Sequence, residues 1–209
     1  MSLGPNKIIN ESLHSKLINS EIKLQKRKRI YLEDARYYVE DVRKSVVEKY
    51  GFDQVYKQGF NIKTPLDLNL QNIATKALRY GLEKYDKRRG WRGPLINVNP
   101  NNDWKKKIDK FKLEKSIDWK LAIVKRIDKF ETVIETKDNN IGIINYEDVN
   151  WTRKNFDKIF KIGDVIYVKK IKNNIYDLKQ LPKINGGIVV MDPFTGRIYA
   201  LSGGFSFKK

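Results

Sequence analysis

Two residue types are almost missing from this chain of 209 residues: it has no cysteine and one histidine, His14. Without cysteine there is no disulfide framework, no cysteine-based zinc site and no thiol nucleophile. A single histidine also excludes every motif that needs two, including the metalloprotease and zinc-finger patterns. We therefore expect no metal site and no cofactor.

Long apolar runs are missing as well. No stretch approaches the ~18 consecutive apolar residues that a membrane span needs, and residues 1–10 lack the apolar middle region of a signal peptide. We therefore expect no membrane span in this chain.

Positive charge, in contrast, is abundant. The chain has 43 Lys and Arg against 25 Asp and Glu, a formal net charge of +18. Such an excess predicts an anionic partner or surface, whether nucleic acid, anionic lipid headgroups or a charged polymer. In the polar residues 1–34, predicted to be an N-terminal linker, the run Lys26–Arg29 is interpreted as a solvated segment rather than a nucleic-acid patch. Hydrophobic residues at 40% are enough for a packed core.

Residues 35–94 are predicted to form two amphipathic helices. The apolar residues of the first recur at three- and four-residue spacing until Gly51, and a strand is predicted at Phe60–Lys63. The second helix is expected to take Thr64 as N-cap and Pro65 as its first residue, and to end within Lys87–Pro94. The predicted apolar faces are Ala35, Tyr38, Val39, Val42, Val46 and Tyr50 in the first helix, and Leu66, Leu70, Ile73, Ala74, Ala77, Leu78 and Tyr85 in the second.

The hydrophobic period changes to two beyond residue 118, after a boundary region with a weak helical pattern in Trp104, Ile108 and Phe111. Three strands, a short helix at Asn155–Phe160 and two further strands follow the order of an OB-fold, with a generic five-stranded barrel as the alternative. The predicted strands are Trp119–Ile127, Glu131–Thr136, Asn140–Tyr146, Asp164–Ile171 and Ile175–Leu181.

The last predicted element is a β-hairpin. Its arms are Gly187–Met191 and Arg197–Leu201, and the turn Asp192–Gly196 has proline in second position and glycine at its end. Because a lone two-stranded ribbon is marginal in water, this hairpin is expected to belong to a larger sheet that is incomplete here.

Catalytic motifs are weak. The pattern Ser-x-x-Lys, which brings a serine nucleophile close to a lysine amine, occurs at Ser20–Lys23 and Ser206–Lys209. Both matches lack the Ser-x-Asn and Lys-Thr-Gly partners, and chance matches are expected in a lysine-rich chain. Adjacent carboxylates such as Glu147–Asp148 are interpreted as solvated charges. We assign no catalytic, cofactor-binding or metal-binding residue.

Basic and aromatic residues alternate in three places: Arg88–Arg92, Trp104–Lys107 and Trp119–Lys120. An OB-type barrel with such a surface could stack bases and follow a phosphate backbone. The favoured interpretation is that each tryptophan fills a core or an interface while the cations face water.

Three segments together resemble a known family. Tyr38–Gly51, Gly59–Gln71 and Tyr85–Pro94 are similar to the region between the two catalytic domains of class A penicillin-binding proteins, most closely of the 1A type. Gly187–Phe205 resembles the opening hairpin of their transpeptidase domain. The resemblance implies an α+β fold, with a small OB-like β-barrel flanked by helices and by a hairpin of an incomplete transpeptidase domain.

The implied organisation has four parts. Residues 1–34 are the linker, 35–94 continue it and contain the N-terminal part of the transpeptidase scaffold, 95–185 are the OB-like barrel, and 186–209 are the truncated opening hairpin. The glycosyltransferase domain and the membrane anchor would precede the chain, and the transpeptidase nucleophile would follow Phe205. Ser206 therefore aligns with a loop before the nucleophile, and this piece is not itself expected to be an enzyme.

Two functions remain open. The favoured one is a non-catalytic spacer, and a candidate protein-interaction domain, of a periplasmic peptidoglycan synthase anchored in the inner membrane. Its candidate partners are the other domains of the synthase, an outer-membrane lipoprotein activator and an anionic cell-wall polymer. The alternative is a basic OB-type module for single-stranded nucleic acid, which has no reason to include the C-terminal hairpin. Weak, non-specific nucleic-acid binding is expected in either case.

The missing motifs predict that penicillin does not acylate the purified chain, because no complete serine constellation is present. Incubation with fluorescent penicillin followed by denaturing electrophoresis is the measurement, with a complete penicillin-binding protein as the positive control. A heat-stable labelled band that disappears in Ser206→Ala would contradict the assignment.

Overall fold

The chain divides into two compact units, residues 1–31 and residues 32–209. The structure, a computed structural model, describes residues 11–20, 32–100, 104–155 and 158–207. The first unit contains helix α1 (Glu11–Ile18), which includes His14. The basic run Lys26–Arg29 lies outside the described residues.

The two predicted amphipathic helices are present as α2 (Arg36–Tyr50) and α4 (Leu68–Lys87). A 3-10 turn (Glu33–Ala35) leads into α2, which ends at Gly51 as predicted, and a short helix α3 (Phe52–Gln54) and a π-helical turn (Val55–Gly59) follow it. The prediction of a strand at Phe60–Lys63 is wrong, since these residues have no neighbouring strand to complete backbone hydrogen bonds.

Helix α4 begins later than predicted. Its N-cap is Asp67, whose Oδ1 accepts hydrogen bonds from the backbone N–H of Asn69 at 2.8 Å and of Leu70 at 2.9 Å. Thr64 and Pro65 therefore precede the helix, because a carboxylate satisfies two orphan donors at the positive end of the helix dipole.

The buried face of α4 also differs from the predicted one. Two residues of the predicted apolar face, Ile73 and Tyr85, are 63% and 46% exposed. The helix is rotated so that polar side chains face inward, where they bond to backbone groups of other elements. Its buried residues are Gln71, Ala74, Thr75, Leu82 and Asp86.

Five strands close into an OB-like barrel, with ends that differ from the predicted ones by at most two residues. The strands are β2 (Lys120–Ile127), β3 (Glu131–Thr136), β4 (Ile141–Asn145), β5 (Asp164–Lys172) and β6 (Ile175–Lys179). The barrel order is β5-β2-β3-β4-β6, and β6 pairs again with β5 to close it. The pairing of β4 with β6 is parallel and the others are antiparallel.

The predicted boundary region 95–118 covers one outer side of the barrel. A short strand β1 (Ile96–Asn97) pairs with the start of β5, and helix α5 (Trp104–Lys107) and a 3-10 turn (Asp109–Phe111) follow. Trp104 and Ile108 pack against the outward side chains Leu121, Ile123 and Val165 of β2 and β5. These two strands are therefore buried on both faces.

The predicted short helix at Asn155–Phe160 is described only in part. Lys158 has a 3-10 helical conformation and its N–H donates to the carbonyl of Asn155 at 2.9 Å, so the described residues agree with a short helical turn. A longer 3-10 segment (Tyr146–Thr152) follows β4 and ends at Arg153, which has a left-handed φ of 58°. Ile159 and Phe160 are buried in the barrel core, so the chain here closes the barrel interior rather than presenting one face to it. Residues 156–157 lie outside the described ranges.

The C-terminal hairpin is confirmed as β7 (Ile188–Met191) and β8 (Ile198–Ser202). In its turn, Asp192 Oδ1 accepts from the N–H of Phe194 at 2.8 Å and from the N–H of Thr195 at 3.2 Å. These backbone hydrogen bonds lower the pKa of the Asp192 carboxyl. The hairpin does not stand alone: Ala200 and Ser202 are buried, and β8 lies against α2 and α4.

Gly142 provides a test of the barrel packing. A methyl group at this position would overlap the ring of Tyr176, which is buried in the barrel core. Gly142→Ala is therefore expected to lower the free energy of unfolding by about 1 to 3 kcal/mol. The matched control is Gly81→Ala in α4, where the added methyl meets open space and is expected to stabilise the helix by about 0.5 to 1 kcal/mol. Urea denaturation of both variants measures the difference, and equal stabilities would contradict the barrel geometry.

Candidate functional site: the junction of helix α4 with the barrel and the hairpin

A buried carboxylate joins the C-terminal end of α4 to both chain ends of the barrel. Asp86 is 2% exposed, and its Oδ1 and Oδ2 accept from Arg92 Nη1 at 2.9 and 2.8 Å. Gln180 Nε2 donates to Asp86 Oδ2 at 2.8 Å, and the N–H of Lys183 donates to Oδ1 at 3.1 Å. Arg92 precedes the barrel and Gln180 and Lys183 follow it, so one carboxylate holds both chain ends together.

Arg92 and Gln180 complete this junction by bonding across it. The N–H of Arg92 donates to Gln180 Oε1 at 2.9 Å, and Arg92 Nη2 donates to the carbonyl of Leu181 at 2.6 Å. Gln180 Nε2 also reaches the carbonyl of Gly90 at 3.2 Å. The polar groups around Asp86 are thus satisfied by one another, which is the condition under which a buried charge stabilises a fold.

A second junction lies about two helical turns earlier on α4, at Arg79. Its Nε donates to the carbonyl of Phe205 at 2.9 Å, and its Nη1 and Nη2 donate to the carbonyl and Oγ of Ser116 at 2.8 and 2.9 Å. One planar guanidinium therefore fixes three acceptors, from the segment before β2 and from the chain after β8. Leu82, Ile117 and Phe205 form a small apolar core beside it.

A third contact joins the side of α4 to β6. Lys179 donates to Glu83 at 2.8 Å and lies 3.2 Å from Asp177, while Lys87 lies 3.6 Å from Asp177 and 4.8 Å from the Trp151 ring centroid. Burial opposes the charge of both lysines and lowers the pKa of Lys87. For Lys179, the hydrogen bond to Glu83 and the attraction of Asp177 outweigh burial and raise its pKa.

Ser206, the serine of the second Ser-x-x-Lys match, is held by hydrogen bonds. Ser206 Oγ donates to Glu114 Oε1 at 2.7 Å, and its carbonyl accepts from Tyr37 Oη at 2.8 Å, so Ser206 fastens the end of the chain to the junction. Lys23 and Lys209, the lysines of the two Ser-x-x-Lys matches, lie outside the described ranges. In those ranges no group of three His, Asp or Glu residues is arranged to hold a metal ion, and no helix is long and apolar enough to cross a membrane.

The tryptophans of the basic and aromatic segments serve in packing. Trp91 and Trp104 are buried, at 7% and 4% exposure. Trp119 packs against Phe205 with ring centroids 5.1 Å apart, and Trp151 meets Trp91 edge to face at 6.0 Å. The interpretation of the tryptophans in these three segments as core and interface residues agrees with the positions of Trp91, Trp104 and Trp119.

The sequence analysis did not identify the junction residues. Gln71, whose side-chain amide bonds to the backbone of Leu201 in β8, is polar, as are Arg79 and Asp86, and a polar residue on an amphipathic helix is ordinarily assigned to the solvent face. Gln180, which follows β6, was likewise not identified. One signal was available: Gln71, Thr75, Arg79, Leu82 and Asp86 follow at intervals of four, four, three and four, which is the spacing of a single helix face.

Comparisons with known proteins agree with this architecture. The profile of the family described as Penicillin-binding protein OB-like domain matches residues 91–184, which include the whole barrel. Penicillin-binding protein 1A of Rickettsia prowazekii is 35% identical over 195 residues, or 91% of this chain and 24% of that protein. The chain belongs to the class A penicillin-binding proteins of the 1A type.

More distant members of this family match as well. Penicillin-binding protein 1A of Pseudomonas aeruginosa is 27% identical over 191 residues, or 84% of this chain and 23% of that protein. The crystal structure of penicillin-binding protein 1A from Haemophilus influenzae is similar with a TM-score of 0.68 at 25% identity, over 95% of this chain and 30% of that one. The chain spans about a quarter of the length of the curated relatives it matches.

The buried carboxylate predicts a large coupling energy between Asp86 and Arg92. Asp86→Ala is expected to lower the free energy of unfolding by about 3 to 5 kcal/mol, because Arg92 and Gln180 lose the carboxylate acceptor that they share. The double variant Asp86→Ala with Arg92→Ala should be less destabilised than the sum of the single variants by about 1 to 3 kcal/mol.

Chemical denaturation of the four proteins measures this cycle. The exposed pair Asp53 and Lys57, which lies 3.2 Å apart on the surface, is the control and should couple by less than about 0.5 kcal/mol. Equal coupling in the two pairs would show that the Asp86 junction does not hold the barrel.

Proposed function

We propose that this chain forms the non-catalytic region between the catalytic domains of a bifunctional peptidoglycan synthase, in which the barrel is a spacer at a set position. The observation that carries this proposal is the Asp86 junction. Because Arg92 and Gln180 both bond to Asp86, the barrel leaves and rejoins the scaffold at one place. An inserted domain held in this way keeps its place without separating α4 from the hairpin.

The rigid attachment supports a spacer rather than a tethered module. Arg79 fastens the segment before the barrel and the chain after β8 to the same helix, and the apolar core around Leu82 and Phe205 fills the space between them. A flexibly linked domain would instead have an exposed, polar connection to its neighbours. The position of the barrel is therefore coupled to that of the hairpin.

The complete synthase would polymerise lipid-linked disaccharide precursors and cross-link their peptides through a serine acyl-enzyme. It would be anchored in the inner membrane with this region in the periplasm. In the proposed division, residues 35–94 and 186–209 belong to the transpeptidase scaffold, 95–185 are the inserted barrel, and 1–34 are the linker. An outer-membrane lipoprotein activator is a candidate partner of the barrel.

The comparisons do not favour the nucleic-acid alternative, and the barrel surface agrees with them. OB-folds bind oligonucleotides on their second and third strands, which are β3 and β4 here. These strands, Glu131–Thr136 and Ile141–Asn145, contain no aromatic and no basic residue, and β3 has two glutamates. These two strands therefore offer neither stacking platforms nor phosphate contacts, and the exposed Phe130, with the Lys129 ammonium over its ring, lies in the loop before β3.

A domain exchange tests the spacer. In full-length penicillin-binding protein 1A of Rickettsia prowazekii, the matched barrel is replaced either by residues 91–184 of this chain or by a short Gly-Ser linker. We expect the exchange to preserve glycan polymerisation and cross-linking. The linker variant should polymerise glycan but cross-link poorly, because the barrel fastened to the transpeptidase scaffold no longer occupies the space that keeps the neighbouring domain at a set distance.

Fluorescent penicillin labelling verifies that the transpeptidase domain of each variant is folded. Normal cross-linking by a linker variant that labels normally would overturn the spacer proposal.

A further inference from the structure

Two clefts meet on the side of the barrel that faces α4. Their volumes are about 420 and 410 Å³, and Ile117 and Trp119 line both. We call the pair the Trp119 groove. Its lining residues include residues of α4, of the segment before β2 and of the turn after β3.

Each half of the groove has more cations than anions. In the half beside α4, Glu83 and Asp118 are the carboxylates, and in the other half they are Glu114 and Asp138. The cations are Lys76, Arg79, Lys169 and Lys179 in the first half and Lys112, Lys115, Lys120 and Lys137 in the second. Lined with a twofold excess of positive charge, this concave surface attracts an anion more strongly than the same charges would on a flat one.

Three of these cations are available to a ligand. The ammonium groups of Lys76, Lys112 and Lys115 are exposed and have no hydrogen bond or ion pair to any group in the described ranges. The guanidinium of Arg79, in contrast, already donates hydrogen bonds to Ser116 and Phe205. The available charges thus lie on both halves of the groove, with Trp119 between them.

The floor of the groove is apolar. Ile117, Leu121 and Phe205 are 6%, 8% and 6% exposed. Burial raises the pKa of Tyr167, which lines the second half, to about 12. An anion bound between the rim lysines would have this apolar floor, rather than water, on one side, which reduces the screening of the attraction between them.

The chemistry of the groove favours carboxylates over nucleic acid. Two lysines at its rim already pair with carboxylates of the chain: Lys169 Nζ lies 2.9 Å from Asp118, and Lys120 Nζ donates to Asp138 at 2.7 Å. The hydrogen bond from Lys120 lowers the pKa of the Asp138 carboxyl. Such exposed pairs are weak, so the carboxylate of a ligand can replace either aspartate. Phe205, Tyr167 and the Lys179 ammonium pack around the Trp119 ring, which leaves Tyr80, 66% exposed, as the solvent-facing ring of the groove. A single such ring does not stack successive bases.

We propose that the Trp119 groove binds the carboxylate-bearing peptides of cell-wall peptidoglycan. This inference rests on the proposed function. Groove lysines pair with successive peptide carboxylates while the glycan chain lies in the solvent. The spacer would then hold the polymer beside the synthase.

Co-sedimentation of the full 209-residue chain with purified peptidoglycan sacculi tests the inference. Two sets of sacculi are used, one native and one whose carboxylates are converted to neutral amides with carbodiimide and ethanolamine. The groove variant is Lys76→Glu with Lys115→Glu and Lys169→Glu. Its control is Lys44→Glu with Lys63→Glu and Lys154→Glu, which changes the net charge equally at lysines outside both clefts.

We expect the affinity for native sacculi to fall about tenfold in the groove variant, since three local charge contacts are reversed, and to change little in the control. Amidated sacculi should bind the wild type as weakly as native sacculi bind the groove variant. Circular dichroism verifies that both variants are folded.

Three results would overturn the inference. Equal losses in the two triple variants would reduce the binding to diffuse charge, and equal binding of native and amidated sacculi would exclude carboxylate recognition. Sub-micromolar binding of a dT10 oligonucleotide, lost in the groove variant, would reassign the groove to nucleic acid. None of these results alters the outcome of the barrel exchange, so the spacer can stand while the groove proposal fails.

Discussion

The buried carboxylate of Asp86 is the constraint on which the arrangement of this molecule depends. It lies at the last turn of α4 and accepts hydrogen bonds from Arg92, Gln180 and the Lys183 backbone. An ion taken out of water costs several kcal/mol unless its partners replace the lost hydration. The energetic penalty of leaving Asp86 unpaired therefore forces the chain before the barrel and the chain after it to the same place.

Two further polar side chains of α4 also bond to groups of other elements. Gln71 Oε1 accepts from the N–H of Leu201 in β8, and Gln71 Nε2 donates to the Leu201 carbonyl. Arg79 donates to Ser116 and to the carbonyl of Phe205, and Asp86 joins the two chain ends of the barrel. These three residues share one face of α4. A polar stripe, flanked by small apolar contacts, thus assembles the hairpin, the segment before the barrel and the barrel itself on a single scaffold. Hydrogen bonds have strict geometry, so such a stripe specifies relative positions more narrowly than apolar packing would.

This assembly brings part of the excess positive charge together in the Trp119 groove. Lysines that are far apart in the sequence, such as Lys76 on α4 and Lys169 on β5, line one cleft because α4 is fastened beside β5 and β6. Their shared apolar floor depends on Phe205, which arrives from the far end of the chain. Charges spread over the surface attract any anionic polymer. Charges gathered in one groove can distinguish one anionic polymer from another.

The sequence by itself determined the elements whose signals are local. Alternating hydrophobicity located the five barrel strands to within two residues, the Asp-Pro-x-x-Gly turn located the hairpin, and the three-to-four spacing with Gly51 located α2. Only the tertiary structure decided what depends on distant partners. The N-cap of α4 is Asp67 rather than Thr64, and Phe60–Lys63 form no strand because no other strand lies beside them. Trp104 and Ile108 pack on the outer side of the barrel. The inward side of α4 was likewise decided at a distance. A polar residue such as Asp86 is buried only when distant groups supply its hydrogen bonds, and no local pattern shows where those groups will be.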